Sequence, residues 1–362
     1  MTDKMQFRLE PQYLYKLMAM PRGAMSSVST SHRCNLPFKT LTIDFLGNIF
    51  LCTCDGWLPL PVGKVEDFDS IQQVFSSKIA QALQKDVGDQ YFSWCAVEHC
   101  GILHRDQIRT KLEIAINIDE SCNLACPSCR RSAIMVDSGP EFEKKIAQVN
   151  RIVSWLEALD EPVSIIMSGN GDPLASHIMR PLIKTYRPKP NQTFILRTNG
   201  LPIKKQIDTG LSIFDQISEF NISIDAGSKD VYEDVRRPGR WSTLIENFEY
   251  LAQLNKQHLV RLNFALQRKN YQDLPNFVSL CQHYGFQASI HQLDDWGTWS
   301  RDKKQTPDAW EIQNGTYLDH AVLDPSHAQH QDCLNILHSI KNQNLSFLNF
   351  SPMVKTLLKD AT

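Results

Sequence analysis

The sequence has 362 residues, of which 42% are hydrophobic and 22% are charged, a composition typical of a globular protein with one large domain or two smaller ones. Its formal net charge of -2 excludes the strong basic field that attracts proteins to nucleic acids or anionic membranes, so we expect neither partner. The lack of that field favours a peptide or a small molecule as the substrate. The N-terminal segment lacks a secretory signal, and no apolar run is long enough to cross a bilayer, which predicts a cytoplasmic protein.

The first predicted elements are a hairpin and a helix. Two β-rich runs between residues 38 and 52 flank Gly47 and Asn48, a pair that supplies the positive φ of a tight turn. An N-cap residue, apolar residues at helical spacing and a final glycine predict a helix over residues 69–88. After an irregular lead-in at residues 1–33, residues 34–110 are therefore expected to form a small hairpin-and-helix module.

From residue 111 the pattern changes to apolar runs that alternate with amphipathic helical stretches. Strands separated by helices indicate βα units and a mainly parallel sheet. About six such units fit, which is fewer than the eight of a closed TIM barrel, so the sequence predicts an open, partial (β/α)6 barrel of the α/β class over residues 111–300. Residues 301–362 are expected to form a polar, partly helical tail.

The cysteines are the most informative residues. Ten are present, and because the cytosol keeps thiols reduced, metal or cluster ligation explains them better than disulfides do. Cys122, Cys126 and Cys129 follow the first barrel strand with C-x3-C-x2-C spacing. A [4Fe–4S] cluster takes four ligands, so three cysteines leave one iron open for chemistry. The alternative, a structural zinc loop, normally supplies four ligands.

This spacing after a first strand resembles the signature loop of the radical S-adenosylmethionine (radical SAM) enzymes. The resemblance implies that the open iron binds the methionine part of SAM. It also implies that SAM is cleaved reductively to methionine and a 5′-deoxyadenosyl radical, which removes a hydrogen atom from the substrate. A reductant of the flavodoxin or ferredoxin type is then required. In the family the residue before the third cysteine is usually aromatic, whereas this sequence has Ser128.

Further segments resemble the SAM-binding positions of the same family. The run SGNGDP at residues 168–173 resembles the Gly-Gly-Glu-Pro segment, and its glycines allow the backbone to approach a ligand closely. Ordinary βα turns and solvated strand ends remain the alternative for these segments. The cofactor-binding residues that the resemblance implies are Gly169, Asn170, Gly171, Asp172, Asn199, Ser223, Asp225 and Arg236.

A second set of cysteines lies upstream of the barrel. Cys34 and Cys52 flank the predicted hairpin, and Cys95 and Cys100 close the module. Four thiolates can enclose a complete cluster, and the pattern resembles the auxiliary-cluster modules called twitch and SPASM domains, which usually follow the barrel. The resemblance implies an auxiliary [4Fe–4S] cluster. Cys54 is an alternative to Cys52 as a ligand, and a four-cysteine zinc site also remains open.

Two acidic residues, Asp294 and Asp295, follow the sixth predicted strand. Loops at strand ends border the active-site mouth of a barrel, so either carboxylate is a candidate catalytic base. The alternative is a tryptophan-anchored lid with solvated acids.

The combined reading is a radical SAM enzyme whose auxiliary cluster supports oxidation or cross-linking of a peptide or protein. One alternative is a dehydrogenase or epimerase acting on a carbohydrate or aminocyclitol. An alternative of another class is an iron–sulfur electron-transfer protein without catalytic activity, which would not need an open iron.

Overall fold

The computed structural model describes residues 34–52, 61–95, 108–167, 170–295, 298–299 and 306–359. Among these residues, no helix combines the length and the apolar character needed to span a membrane.

The described chain begins with the predicted hairpin. Helix α1 (Leu36–Lys39) leads into strand β1 (Thr40–Ile43), which pairs antiparallel with β2 (Asn48–Phe50), and β2 pairs antiparallel with β3 (Gly63–Lys64). The turn has Gly47 at φ 79°. The Asp44 carboxylate accepts hydrogen bonds from the backbone N–H groups of Leu46 and Asn48 at 2.9 and 2.8 Å. These bonds to turn N–H groups explain why the chain reverses here.

The helix predicted over residues 69–88 is divided in two. Helix α2 (Ile71–Ser76) ends where Ser77 adopts an extended backbone with ψ 152°, and α3 (Lys78–Gly88) begins there. The Ser77 hydroxyl accepts a hydrogen bond from the Ala80 N–H. A serine side chain competes with the helical backbone in this way, so it caps the second helix and interrupts the first.

From residue 112 the chain alternates strands with helices, as predicted. The strands are β4 (Leu112–Ile116), β5 (Val163–Met167), β6 (Gln192–Thr198), β7 (Ile217–Ser223), β8 (Val260–Leu266) and β9 (Gln287–Gln292). The helices are α4 (Gly139–Ala158), α5 (Ile203–Asp208), α6 (Lys229–Val235), α7 (Trp241–Gln253) and α8 (Leu274–Tyr284). A π-helical turn spans Pro181–Thr185, and 3-10 turns span Val65–Asp67, Phe214–Gln216, Gln257–Leu259 and Tyr271–Asp273.

The C-terminal segment contributes to the sheet instead of forming only a tail. It contains α9 (Ala309–Asn314), α10 (Tyr317–His320), α11 (His330–Lys341), β10 (Leu348–Phe350) and α12 (Pro352–Leu357). Strand β10 pairs parallel with β9. Its three residues are too few to show the alternation from which a strand is recognised in a sequence.

The strand order of the sheet is β10-β9-β8-β7-β6-β5-β4-β1-β2-β3. Strands β4 to β10 are parallel, and β1 pairs parallel with β4. The sheet therefore crosses both predicted boundaries, at residues 110/111 and 300/301. Within the described ranges its two edge strands do not pair with each other, so the fold is the open α/β partial barrel that the sequence predicts.

Burial alternates along the central strands. The apolar side chains of one face pack in a continuous core with the helices. The opposite face, here called the polar face, carries the half-buried Glu219, Asn221, Arg261, Asn263 and His291. Asn263 Nδ2 donates to Asn221 Oδ1 at 2.7 Å, and Arg261 Nε lies 3.1 Å from Glu219 Oε2. This face differs from the apolar, filled interior of a closed TIM barrel.

His320 provides a pH-dependent test of the C-terminal fold. Its Nε2 donates to the Asn314 carbonyl at 2.7 Å, and burial lowers the pKa of His320 below its ordinary value. The folded state therefore prefers neutral His320, and stability present above the unfolded pKa of about 6.5 is lost as pH falls through the folded pKa. We expect urea unfolding midpoints to drop from about pH 7.5 to about pH 5.5, and His320→Gln to reduce this drop.

The matched control is His283→Gln, at an exposed position on α8. An unchanged pH dependence in His320→Gln would contradict the assignment of this group.

Candidate active site

The three-cysteine loop follows β4 and is tied at both ends. The Cys122 N–H donates to the Ile134 carbonyl at 2.8 Å, and the Cys126 carbonyl accepts from the N–H groups of Cys129 and Arg130 at 2.9 and 3.0 Å. The loop thus folds back on itself, and the turn at Cys126 brings the second and third cysteines together.

Several N–H groups point at the sulfur atoms. The Leu124 N–H and Asn199 Nδ2 lie 3.4 and 3.8 Å from Cys122 Sγ, and Arg236 Nη1 lies 3.9 Å from Cys126 Sγ. Such donors stabilise thiolate ligands and tune a cluster. Burial, with the Asp172 carboxylate as the second cause, raises the pKa of Cys122 to about 12. Iron binding must therefore displace protons from these thiols.

Arg130 is a site residue that the sequence reasoning missed. It is 6% exposed, and its Nη1 donates to the Glu120 carbonyl at 2.7 Å. Burial is the largest single effect and opposes its charge, but Cys129, Cys122 and Cys126 together outweigh burial, so the pKa of Arg130 lies above its ordinary value. Its position directly after the third cysteine is the sequence signal that could have identified it.

Arg236 is held by Asp225. Its Nη2 lies 2.6 Å from Asp225 Oδ2, and the two side chains are 14% and 3% exposed. The other Asp225 oxygen accepts from the Ala265 N–H at 2.8 Å. Two predicted site residues therefore meet beside Cys126. The Arg236 Nε and the Tyr232 hydroxyl are buried and have no hydrogen-bond partner among the described residues.

The glycine-rich segment is pressed against the cysteine loop. Ser168 and Gly169 lie outside the described residues. A Cβ atom on Gly171 would lie 2.2 Å from the Ser121 carbonyl oxygen, and the Asp172 N–H donates to that same oxygen at 2.8 Å. Glycine is therefore required at position 171 because two backbones meet there.

Asp172 has its carboxylate filled by protein donors. One oxygen accepts from Thr198 Oγ1 and the Asn199 N–H at 2.8 and 2.6 Å. The other accepts from the N–H groups of Leu174 and Ala175 at 2.9 and 3.2 Å. Burial raises the pKa of Asp172. The geometry gives this predicted SAM-binding residue a positioning role, since it joins two strand-end loops.

The remaining predicted cofactor-binding residues lie at the same end of the sheet. Asn199 Nδ2 donates to Asn123 Oδ1 at 2.8 Å. Asn170 is half-buried just before Gly171, and Ser223 is half-buried at the end of β7. Ser223 stays a predicted SAM contact.

Asp294 and Asp295 follow β9, with Asp294 exposed and Asp295 half-buried. Burial is the largest cause that raises the pKa of Tyr317, and these two carboxylates are the next largest causes. Burial lowers the pKa of His291, and both Asp225 and Asp294 oppose that shift. His291 therefore lies within electrostatic range of both acids. A role as base stays a prediction for Asp294 and Asp295.

Three of the predicted auxiliary ligands share one neighbourhood. Cys34, Cys52 and Cys95 all pack against a small apolar cluster formed by Leu36, Val87 and Phe92. Cys54 and Cys100 lie outside the described residues. In the part of the chain that the structure describes, no three histidine, cysteine or acidic side chains are arranged to hold a single metal ion. A [4Fe–4S] cluster distributes its ligands over separate iron atoms, so its thiols need not converge on one point.

Gly171→Ala tests the contact between the two loops. We expect a loss of about 1–3 kcal/mol in the free energy of unfolding, because the new methyl group displaces backbone that has no room to move. The iron bound after anaerobic reconstitution should also fall. Gly88→Ala is the matched control, since the nearest atom to its new Cβ is 4.0 Å away. Equal iron content and stability in both variants would contradict the contact.

Comparison with known proteins relates residues 116–281 to the family described as the Radical SAM superfamily. The AdoMet-dependent heme synthase of Oleidesulfovibrio alaskensis is 25% identical over 183 residues, which are 48% of this chain and 43% of that protein. The GTP 3',8-cyclase of Petrotoga mobilis is 26% identical over 175 residues, 46% of this chain and 51% of that protein. The chain spans about half the length of these curated relatives.

Among solved structures, Streptococcus suis SuiB bound to precursor peptide SuiA is similar over 78% of this chain and 55% of that chain, with TM-score 0.41 and 14% identity. The structure of native anSMEcpe with bound AdoMet is similar over 64% of this chain and 59% of that chain, with TM-score 0.39 and 16% identity. The segment matched by the family model begins at the last residue of β4 and includes the three-cysteine loop, Asp172, Asp225 and Arg236. Residues 116–281 of this chain therefore match the model of the Radical SAM superfamily.

Proposed function

We propose that this chain is an enzyme that binds a [4Fe–4S] cluster through Cys122, Cys126 and Cys129 and binds SAM at the remaining iron. When bound, the cluster and SAM supply a 5′-deoxyadenosyl radical, which abstracts hydrogen from a substrate. The observation that carries the proposal is a loop with three cysteines, in which Cys122 Sγ receives the Asn199 amide from the segment after β6 and Cys126 Sγ receives the Arg236 guanidinium from the end of α6.

The residues present fit SAM as well as the cluster. Three thiols leave one iron without a protein ligand. Beside Cys126, the Arg236 Nε and the Tyr232 hydroxyl are buried with unused hydrogen-bonding capacity among the described residues. Buried polar groups in native proteins normally have partners, so such a pair favours a polar ligand at this place. A guanidinium group held by Asp225 is suited to a carboxylate such as that of SAM.

The side chains around the loop orient the groups that contact the cysteines, and they exclude water from the site. Asp225 fixes the Arg236 guanidinium. The Asp172 carboxylate accepts from the backbone N–H of Asn199, and the side-chain amide of Asn199 reaches Cys122. Cys126 is 5% exposed, which shields the reactive end of the site. Radical chemistry needs such exclusion because a reactive intermediate must meet its substrate before solvent.

We propose a peptide or protein segment as the substrate. The polar face offers amide, carboxylate and guanidinium groups to a hydrophilic ligand. Among the described residues the edge strands β3 and β10 do not pair, and an opening between them would suit a chain longer than one compact molecule. A carbohydrate or aminocyclitol would also suit the polar groups but does not need that opening.

We further propose that Cys34, Cys52 and Cys95, with Cys100 as the fourth ligand, hold an auxiliary [4Fe–4S] cluster of the twitch type. When bound, that cluster supplies an acceptor for the electron of a substrate radical. Hydrogen-atom abstraction, loss of that electron and loss of a proton to Asp294 or Asp295 together make a two-electron oxidation. A flavodoxin- or ferredoxin-type reductant in the cytoplasm completes the proposal.

Cys126→Ala should abolish formation of 5′-deoxyadenosine from SAM and dithionite, because the cluster loses a ligand. The product is quantified by chromatography after anaerobic reconstitution. Cys281→Ala is the matched control, since Cys281 is buried on α8 and is not a proposed ligand. Wild-type rates in Cys126→Ala would remove the three-cysteine loop from the chemistry.

Cys95→Ala should lower the iron content from about eight to about four atoms per chain while some SAM cleavage remains, because only the auxiliary cluster loses a ligand. Iron, sulfide and zinc are measured together, and Cys333→Ala serves as the control. Unchanged iron would exclude Cys95 as a ligand, and zinc lost in its place would indicate a structural zinc site.

A further inference from the structure

A cleft of about 610 Å³ is bordered by segments that follow β4, β5, β6 and α6. Its charged lining residues are Arg180, Lys184, Lys205 and Arg240, and no described carboxylate lines it. None of these four cations forms an ion pair with a described acidic residue. A local excess of positive charge on a chain whose formal net charge is -2 creates a field that attracts acidic partners.

The cleft adjoins the candidate cluster site. Asn123 and Leu124, which lie between Cys122 and Cys126, form part of its wall. The Leu124 N–H lies 3.4 Å from Cys122 Sγ. Asn123 accepts a hydrogen bond from the same Asn199 amide that reaches this sulfur. The segment of Asn123 and Leu124 therefore lines the cleft, while the backbone of Leu124 contacts the proposed ligand Cys122.

The charges suit a protein surface better than a small anion. Arg180, Lys205 and Arg240 are exposed and come from three separate segments. Lys184 Nζ already donates to the Gln206 carbonyl and to Thr209 Oγ1 at 3.2 and 2.8 Å. A tight anion site brings charged donors together around one ligand. Electron-transfer complexes instead use small interfaces that are guided by complementary charge.

We propose that this cleft is the docking site of an acidic electron-donor protein. This docking site rests on the proposed function and gives the place where its reductant binds. One electron leaves the reduced donor, passes the wall at Asn123 and Leu124, and is consumed in the reductive cleavage of SAM. None of the polar-face residues lines the cleft, so the proposed donor site and the proposed substrate site do not share residues.

The test uses the full-length, reconstituted protein and a bacterial flavodoxin as the probe. Arg180→Glu/Lys205→Glu should raise the KM for reduced flavodoxin at least about tenfold at low ionic strength, because steering charges are reversed. It should also weaken binding of oxidised flavodoxin, measured by fluorescence titration. The rate with dithionite should not change.

The matched control is Lys78→Glu/Lys355→Glu. These two exposed lysines lie outside the cleft, and their reversal changes the net charge equally. Iron content and circular dichroism check that every variant is folded and loaded.

The outcomes separate the two proposals. If wild-type protein does not cleave SAM with dithionite, the proposed function fails. If it does, but both double variants have the same flavodoxin KM and binding as the wild type, the docking site is overturned. Equal weakening in both double variants also overturns it, because net charge alone then accounts for the effect. Saturable binding of inorganic tripolyphosphate that Arg180→Glu/Lys205→Glu abolishes, with an unchanged flavodoxin KM, would make the cleft a small-anion site instead.

Discussion

The arrangement of the site depends on the buried carboxylate of Asp172. A carboxylate is expensive to bury unless hydrogen bonds replace its hydration. Here four donors do so, two from its own loop and two from Thr198 and Asn199. The Asp172 backbone also donates to the carbonyl of Ser121, the residue before Cys122, the first proposed ligand. One residue therefore fixes the mutual position of three strand-end loops, and Gly171 makes that approach sterically possible.

Asp225 has the corresponding role on the other side of the cysteine loop. It adopts φ 54°. This backbone conformation is unfavourable for most residues and persists where the surrounding structure enforces it. In this conformation one carboxylate oxygen meets the Ala265 N–H and the other meets Arg236. The two aspartates differ in what they hold: Asp172 orients backbone, whereas Asp225 orients a cation. Both therefore act on the cysteines through another group, Asn199 for Cys122 and Arg236 for Cys126.

The features that could be predicted from the sequence are those with a local cause. The turn at Gly47 and the three-cysteine loop depend on a few adjacent residues, and the alternating strands and helices depend on short-range periodicity. The role of Asp172 depends on Thr198 and Asn199, which are distant in the chain, and no local pattern encodes that contact. Strand β10 is held by its pairing with β9, and the helix break depends on Ser77 preferring a cap to a helix interior.

The open sheet has a polar face, and the cleft beside the cysteine loop has four cations. A closed barrel would fill its interior with apolar side chains and leave access only at its mouth. Here the polar face carries half-buried polar and charged side chains, and none of them lines the cleft that holds the four cations. The cleft adjoins the cysteine loop, because Asn123 lines the cleft while its neighbour Cys122 contacts the amide of Asn199. On the proposed function, a substrate on the polar face and an electron donor at the cleft would therefore contact different residues, and the hydrogen bonds of the buried Asp172 and Asp225 would hold the loop in place.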